Sequence, residues 1–260
     1  MARELFNLDG KRALVTGGGR GIGLALAQGL ADYGADIVIT ARTKEQLEKA
    51  KQQIENSTGR KVWTFAYDVS RLEGIPDFFR QVVKEAGGID ILVNNAGTAS
   101  RYPSEDYPFE EWRKILTVNL DAVFLMSQAF CRHRKEAGGG GRIINIGSLM
   151  CKAARVMNPP YAASKGGILL LTKELAVDWV KYNINVNAIA PGFITTEMTQ
   201  PLRDNDKLNE WVISRTPKGR WGKPEELVGA AVYLASEASS FVTGEIIYVG
   251  KAVNLRNRVR

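Results

Sequence analysis

The feature that most constrains the fold is an alternation of short apolar runs with longer amphipathic stretches. Seven short runs predict strands, at 12–17, 36–40, 61–69, within 89–97, 142–148, 184–192 and 245–250. Helical patterns stand between several of them, at 21–34, 44–57, about 109–135 and 160–180. Nearly continuous apolar runs indicate strands buried on both faces, which is typical of a parallel sheet between helix layers. Right-handed crossovers then predict a single-domain, Rossmann-like, doubly wound α/β fold.

The length of the chain and the placement of its Pro and Gly residues suggest how it is divided into segments. A length of 260 residues fits one large α/β domain, which we expect over 1–250, followed by a basic tail at 251–260. The connection at 193–223 is long for a compact domain and contains several Pro and Gly residues. Such a segment is usually a lid, a binding loop or a disordered insertion, and we expect a substrate lid.

The positive charge of the chain is concentrated at its end. The formal net charge is +7, and four of the cations lie in the last ten residues: Lys251, Arg256, Arg258 and Arg260. Without them the charge is about +3, which is ordinary for a globular surface, so we do not expect nucleic acid as a partner.

Other classes of protein are also disfavoured. Cys131 and Cys151 have the spacing of neither a disulfide framework nor a zinc site, which favours a reducing cytoplasm and predicts no metal. The first residues lack the apolar core of a signal peptide, and no run approaches the ~18 apolar residues of a membrane span. The single histidine, His133, stands among charged residues and is expected to be solvated.

A glycine-rich loop, "TGGGRGIG" (16–23), joins the first predicted strand to the first helix. Its spacing departs from the strict G-x-G-x-x-G pattern, because Ile22 stands three residues after Gly19. Glycines still permit a tight turn, and a helix N-terminus offers amide donors and partial positive charge to a pyrophosphate. The loop therefore predicts dinucleotide binding; the alternative is a glycine-rich turn without a ligand.

The end of the second strand bears on which dinucleotide binds. Domains that prefer NAD tend to place an acid there, whereas an arginine accommodates a 2′-phosphate. Ala41 occupies the expected acid position, Arg42 follows it, and Arg20 in the glycine loop is able to point the same way. This favours NADP(H) and leaves NAD(H) possible; the alternative is that Arg42 is only a solvated loop residue.

The stretch "YAASK" places Tyr161 and Lys165 one helical turn apart, on the same face. A free phenol has a pKa near ~10, and a nearby ammonium lowers it toward the range useful for acid–base catalysis. Ser148, at the carboxyl end of the fifth strand, is positioned to polarise a substrate carbonyl. Asn119 stands inside the long helix, where we expect it to hold a water or to bend the helix.

Six motifs together resemble the short-chain dehydrogenase/reductase family. They are "TGGGRGIG", "NNAG" (94–97), Asn119, Ser148, "YAASK" and "PG" (191–192), in family order between about Leu8 and Val249. The resemblance implies a catalytic group of Asn119, Ser148, Tyr161 and Lys165. Tyr161 would be the acid/base, Ser148 would stabilise the carbonyl, Lys165 would bind the ribose and lower the phenol pKa, and Asn119 would support a relay water.

The resemblance also implies the cofactor contacts. Asp68 and Val69 would lie near the adenine, Asn95 to Gly97 would line the adenosine ribose, and Ile194 and Thr196 would hold the carboxamide and phosphates. The full expected set is Gly17, Gly19, Arg20, Gly21, Ile22, Gly23, Arg42, Asp68, Val69, Asn95, Ala96, Gly97, Tyr161, Lys165, Pro191, Gly192, Ile194 and Thr196.

Within the family, the segments 100–112 and 215–244 are similar to gluconate 5-dehydrogenases, which interconvert gluconate and 5-ketogluconate. Arg101 would then pair with a sugar-acid carboxylate beside Ser148 and Tyr161, or else face solvent. The alternatives are a 3-oxoacyl-(acyl carrier protein) reductase, another small-ketone reductase, or a catalytically silent NADP(H)-binding sensor.

Family members generally form tetramers, so a homotetramer is expected. The ending "YVGKAVNLRNRVR" departs from the usual Asp-Gly-Gly turn and makes that contact less certain.

Overall fold

The computed structural model describes residues 4–250, which form a seven-stranded parallel sheet flanked by helices. The strands are β1 (Arg12–Thr16), β2 (Asp36–Ala41), β3 (Val62–Ala66), β4 (Ile91–Asn94), β5 (Gly141–Ile146), β6 (Ile184–Pro191) and β7 (Ile246–Val249). Their order is β3-β2-β1-β4-β5-β6-β7. The expected doubly wound, Rossmann-like fold is confirmed, whereas the basic tail at 251–260 lies outside the described residues.

Helices cover both faces of the sheet. They are α1 (Gly21–Asp32), α2 (Lys44–Thr58), α3 (Ile75–Ala86), α4 (Phe109–Leu116), α5 (Ala122–Glu136), α6 (Pro159–Trp179), α7 (Gln200–Arg203), α8 (Asp206–Arg215) and α9 (Val228–Ala235). Helix α3 was not predicted from the sequence. Its signals are a proline in the first turn and Gly87, which ends the helix in the left-handed conformation.

Each central strand contributes to a separate hydrophobic cluster on each face of the sheet. Leu14 and Val38 belong to one buried cluster, and their neighbours Val15 and Ile39 belong to the other. Because side chains alternate along a strand, burial on both faces makes the strands nearly continuously apolar. The layered fold thus follows directly from the apolar runs.

The strand order reverses beside β1, which has β2 on one side and β4 on the other. In open α/β sheets such a switch point creates a crevice outside the carboxyl ends of the strands, where ligands bind. The glycine loop after β1 and the segments that follow β4, β5 and β6 all meet at this edge, so the motifs from the sequence converge on one crevice.

The segment 193–223 is an ordered insertion with its own small core. It contains a 3₁₀ turn (Glu197–Thr199), α7 and α8, and it buries a cluster of Leu202, Val212 and Trp221. The indole Nε1 of Trp221 donates to Asn209 Oδ1 at 2.7 Å. Both ends are tied together, because Ile194 forms a parallel bridge with Gly222. Its role as a substrate lid remains a prediction.

Helices α4 and α5 form one continuous helix of 28 residues, Phe109–Glu136, which is long and apolar enough by composition to cross a membrane. No segment of that kind was expected from the sequence. Half of the apolar window is buried, and α5 packs against α3 and β4 while α4 packs against α6. A core helix of a globular domain has these properties.

The expectation that His133 is solvated is wrong. His133 is half-buried at the end of α5, where its Nε2 accepts a hydrogen bond from the Ile89 amide at 3.1 Å. Burial lowers the pKa of this imidazole and the Arg134 charge lowers it further, whereas Asp90 and Glu136 raise it. The neutral ring is therefore the form that the fold stabilises.

The protein should lose stability in mild acid through His133. Its pKa is depressed in the fold, so the stability it contributes is complete above the unfolded value of ~6.5 and is lost as pH falls through the folded value. Protonation removes the acceptor of the Ile89 amide, which costs about 1–3 kcal/mol. Thermal unfolding at pH 7 and pH 5 checks this: His133→Gln should show a smaller acid-induced drop than the wild type. An equal acid-induced loss of thermal stability in both proteins would contradict the role of His133 in the pH dependence.

Candidate active site

The glycine loop forms a tight turn from β1 into α1. Gly17 has a φ of +66°, and a Cβ there would lie 2.9 Å from the Asn95 amide nitrogen. At Gly23 a Cβ would overlap the carbonyl of Gly17, so the first turn of α1 approaches the strand end closely. Arg20 is the N-cap residue of α1, and its side chain makes no capping hydrogen bond within the described part of the chain. Gly17 and Gly23 thus leave a space that side chains would fill, beside the amides at the start of α1. This space fits a dinucleotide pyrophosphate.

Asn95 holds the glycine loop against β4. Its Nδ2 donates to the Thr16 carbonyl at 2.8 Å, and the amides of Asn95 and Ala96 both donate to Thr16 Oγ1 at 3.0 Å. The "NNAG" stretch is therefore a structural support of the loop, a role that the sequence analysis missed. Its predicted contact with the adenosine ribose remains a prediction.

The ends of β2 and β3 form a polar, cationic corner. Exposed Arg42 follows Ala41, so no carboxylate stands at the end of β2. Asp68 follows β3, and its Oδ1 accepts hydrogen bonds from the amide and hydroxyl of Ser70 at 3.0 and 2.8 Å. Burial acts to raise the pKa of Asp68, but these bonds and the charges of Arg42 and Arg71 outweigh it and hold the pKa below its usual value. The corner suits an anion beside Arg42.

Arg20 does not share this corner in the way that the sequence analysis expected. Its guanidinium pairs with the carboxylate of Glu197, in the 3₁₀ turn of the 193–223 segment. Gly21 lies beside the same segment, because a Cβ there would be 3.5 Å from Thr196 Cγ2. The physical reason is that Glu197 is a nearby carboxylate, whereas the end of β2 offers Arg20 none.

The structure brings Ser148 and Tyr161 together at the carboxyl end of β5. Ser148 is buried, and its Oγ accepts a hydrogen bond from the Met150 amide at 3.2 Å. Tyr161 is half-buried in the first turn of α6, and a hydrogen bond with the Ser148 hydroxyl favours its ionised form. The two hydroxyls are therefore adjacent, as two donors to a single carbonyl oxygen would have to be.

The predicted lowering of the Tyr161 pKa by Lys165 is not what this structure shows. Burial raises the pKa of the phenol, and Ser148 only partly offsets it. Lys165 Nζ instead donates to the Ile146 carbonyl at 2.6 Å and lies 5.8 Å from the centre of the Tyr161 ring. Burial also lowers the pKa of Lys165 to about 8. Burial is therefore the largest influence on the pKa of both groups.

Asn119 lies at a π-helical turn, Thr117–Asp121, which interrupts the long helix between α4 and α5. Such turns are frequent at functional sites. The fully buried amide of Asn119 accepts from the Thr98 amide at 2.8 Å and donates to the Thr98 carbonyl at 3.0 Å and to Ser164 Oγ at 3.2 Å. The side chain thus ties the segment after β4 to α6. Its predicted support of a relay water remains a prediction.

Two arginines whose charges repel each other lie in the segments that follow β4 and β5. Arg101 follows β4 and is exposed to solvent, as one of the two alternatives for it predicted, whereas half-buried Arg155 lies in the loop that joins Ser148 to Tyr161. Burial lowers the pKa of each guanidinium, and the charge of Arg101 lowers that of Arg155 further. Within residues 4–250, neither has a carboxylate partner. Arg155 was not predicted as a site residue, although an arginine between Ser148 and Tyr161 was a usable signal.

The remaining predicted positions lie at the same edge. Pro191 ends β6, and a Cβ on Gly192 would lie 2.6 Å from the Gly250 carbonyl, so only glycine fits there. Ile194 is buried, and Thr196 precedes the 3₁₀ turn that begins at Glu197. Among residues 4–250, no cluster of potential metal ligands occurs.

Comparison with known proteins defines the class. The family model described as enoyl-(acyl carrier protein) reductase matches residues 17–253. The chain belongs to the short-chain dehydrogenase/reductase family.

Individual relatives are similar over nearly the whole chain. The gluconate 5-dehydrogenase of Gluconobacter oxydans (strain 621H) is 43% identical over 252 residues, 97% of this chain and 98% of the relative. The 5-keto-D-gluconate 5-reductase of Escherichia coli (strain K12) is 43% identical over 246 residues, 95% and 96% of the two chains. The crystal structure of a gluconate 5-dehydrogenase from Burkholderia cenocepacia J2315, in complex with NADP and tartrate, has a TM-score of 0.91 and 42% identity, covering 96% of this chain and 97% of that chain.

Proposed function

We propose that this chain is an NADP(H)-dependent oxidoreductase that interconverts a secondary alcohol and a ketone of a sugar acid, as gluconate 5-dehydrogenases do. The observation that carries the proposal is the pair of hydroxyls, Ser148 and Tyr161, at the carboxyl end of β5 beside the glycine loop crevice. The similar proteins named above act on gluconate or 5-ketogluconate, and this supports the substrate class.

NADP(H) is the proposed cofactor, with NAD(H) as a weaker alternative. The space at Gly17 and Gly23, with the first turn of α1, would hold the pyrophosphate, and Arg42 would face the 2′-phosphate. The similar Burkholderia protein binds NADP. When bound, the nicotinamide supplies or accepts the hydride.

The chain's own residues would move the proton. In reduction, the phenol of Tyr161 donates its proton to the carbonyl oxygen, and the hydroxyl of Ser148 donates a hydrogen bond to the same oxygen. The raised pKa of Tyr161 keeps it protonated at neutral pH, so it starts as an acid. In oxidation, the same oxygen of Tyr161 must accept the proton. Lys165, fixed by the Ile146 carbonyl, would orient the ribose and stabilise the phenolate formed by proton donation.

Arg101 and Arg155 are the proposed binding site for the substrate carboxylate. The charge of Arg101 acts on Arg155, and an anion bound by both would relieve this repulsion. Guanidiniums also match carboxylates bidentately. Arg155 lies in the loop that joins Ser148 to Tyr161, so a carboxylate there would orient the rest of the sugar acid toward the hydroxyl pair.

Replacing Arg155 with glutamine should raise the KM for 5-ketogluconate about 10- to 100-fold, the size of a charge-assisted hydrogen bond of about 1.5–3 kcal/mol. The kcat should change little, because the carboxylate is distant from the reacting carbon. A neutral ketone substrate should be unaffected. Lys152→Gln, which removes an exposed cation from the same loop, is the matched control. Equal effects of the two variants would indicate a nonspecific electrostatic attraction and would contradict a specific contact between Arg155 and the carboxylate.

The function itself is tested by following NADPH oxidation with 5-ketogluconate and, separately, with an acetoacetyl thioester. We expect faster turnover of the sugar acid. Preference for the thioester would favour the 3-oxoacyl reductase alternative. Dinucleotide binding without turnover of any ketone would favour the silent sensor.

We also propose a cytoplasmic homo-oligomer, with a homotetramer as the specific expectation. Helices α5 and α6 expose Phe124, Leu170 and Val177, beside a largely apolar groove of about 660 Å³. An exposed apolar face of this kind is typical of a subunit contact. Cys131 and Cys151 are both free thiols, which suits a reducing compartment. A protomer mass in light scattering at micromolar concentration would contradict the oligomer.

A further inference from the structure

An ion pair bridges two segments that border the cofactor crevice. Arg20 belongs to the glycine loop, and Glu197 begins the 3₁₀ turn in the 193–223 segment. The side chains are 54% and 67% exposed, so the pair lies at the surface and is open to competing ions. Gly21 and Thr196 approach each other beside it. The pair therefore connects the phosphate-binding loop directly to the proposed lid.

Glu197 is held in place by its own turn. Thr199 Oγ1 accepts from the Thr196 amide at 2.9 Å and donates to the Ile194 carbonyl at 2.7 Å. The Thr195 amide donates to the Gly222 carbonyl at 2.9 Å, which fixes the base of the segment. These bonds fix the turn that carries Glu197.

Arg20 depends on Glu197 for its partner. Within residues 4–250, Arg20 makes no other ion pair, and the first turn of α1 contains no acidic residue. The arginine stands at the helix N-terminus, where the partial positive charge already attracts anions. A phosphate monoester carries nearly two negative charges at neutral pH and competes well with a single carboxylate for one guanidinium.

We infer that Glu197 is a specificity-determining residue for the dinucleotide, because its carboxylate occupies Arg20 in competition with the 2′-phosphate of NADP(H). This rests on the proposed function. NAD(H) has no 2′-phosphate and leaves the pair intact, whereas NADP(H) must displace Glu197 to recruit Arg20. Glu197 therefore reduces the preference for NADP(H), and only the phosphorylated cofactor would separate Arg20 from the proposed lid.

Glu197→Gln removes the competing charge and nearly preserves the shape of the side chain. The dissociation constants of NADPH and NADH are measured by isothermal titration calorimetry on the full chain, without substrate, at low ionic strength. We expect NADPH to bind about 2- to 5-fold more tightly to the variant, the size expected for an exposed ion pair. NADH binding should stay within about twofold, and the gain should shrink at ~1 M salt.

Glu210→Gln is the matched control, because Glu210 is an exposed acid on α8 of the same segment and makes no described contact with Arg20. It should leave both dissociation constants unchanged. In an Arg20→Gln background, Glu197→Gln should no longer alter NADPH binding, since the pair is already absent.

Three outcomes would overturn the inference. Weaker binding of both dinucleotides to Glu197→Gln would mean that the pair clamps the cofactor. Equal effects of Glu197→Gln and Glu210→Gln would mean a general charge effect, and no change in NADPH affinity would mean no competition. Failure of the wild type to bind either dinucleotide would instead refute the proposed function and the inference with it.

Discussion

Tyr161→Phe should reduce turnover of 5-ketogluconate by about 10²- to 10⁴-fold, because it removes the proposed general acid and little else. The ring remains to fill the space, and only the hydroxyl that interacts with Ser148 is lost. The NADPH dissociation constant should therefore change less than about threefold. Steady-state NADPH oxidation and calorimetry measure the two quantities separately.

Tyr33→Phe is the control for this experiment, since Tyr33 is an exposed tyrosine at the end of α1. It should keep wild-type turnover. A Tyr161→Phe enzyme that reduces the ketone at a near-wild-type rate would remove Tyr161 from the mechanism and, with it, the enzymatic interpretation of the hydroxyl pair.

Lys165→Met should have the second-largest effect, lowering turnover by about 10²- to 10⁴-fold through loss of the cation that would stabilise phenolate at Tyr161 and orient the ribose. Unlike Tyr161→Phe, it should also weaken NADPH binding. If turnover and NADPH affinity both stayed near wild type, Lys165 would be only a packing residue.

Lys165 also predicts a distinctive dependence of stability on pH. Its pKa is depressed from 10.5 to about 8 by burial, so the fold disfavours the charged ammonium relative to the unfolded chain. This contribution to the free energy of unfolding is complete above the unfolded pKa and is lost as pH falls through about 8. Its upper limit is about 3 kcal/mol, at about 1.4 kcal/mol for each pKa unit.

Urea unfolding at pH 7.5 and pH 10 checks this dependence. The difference in unfolding free energy between wild type and Lys165→Met should shift in favour of the wild type as pH rises. A difference that is the same at both values would show that Lys165 does not titrate in this range.

Much of the fold was readable from local pattern. The apolar runs predicted all seven strands, because strands buried on both faces of a parallel sheet cannot carry alternating polar residues. Helix α3 was missed although Phe78, Phe79 and Val82 are buried on it, since a short amphipathic stretch between two strands resembles an irregular loop. The 193–223 segment was recognised as unusual, but its helices and small core depend on contacts that its polar composition conceals.

Charge environment was the least predictable part of the site. The four-residue spacing of Tyr161 and Lys165 indicated an ammonium near a phenol, yet the ammonium is bound to a backbone carbonyl and burial raises the phenol pKa. Arg155 and Glu197 were missed for the same kind of reason. Each interacts with a residue distant in sequence: the charge of Arg101 acts on Arg155, and Arg20 forms an ion pair with Glu197.

The sequence by itself determined the layered parallel sheet and the set of polar residues that follow its strands, because periodicity and glycine placement act through neighbours along the chain. Tertiary structure alone decided which of those residues face one another and how far each is desolvated. The attachment of Asn119 to Thr98 and Ser164, and the pairing of Arg20 with Glu197, require the chain to be folded. Electrostatic energies depend on distance and burial, and neither exists until the strands are assembled.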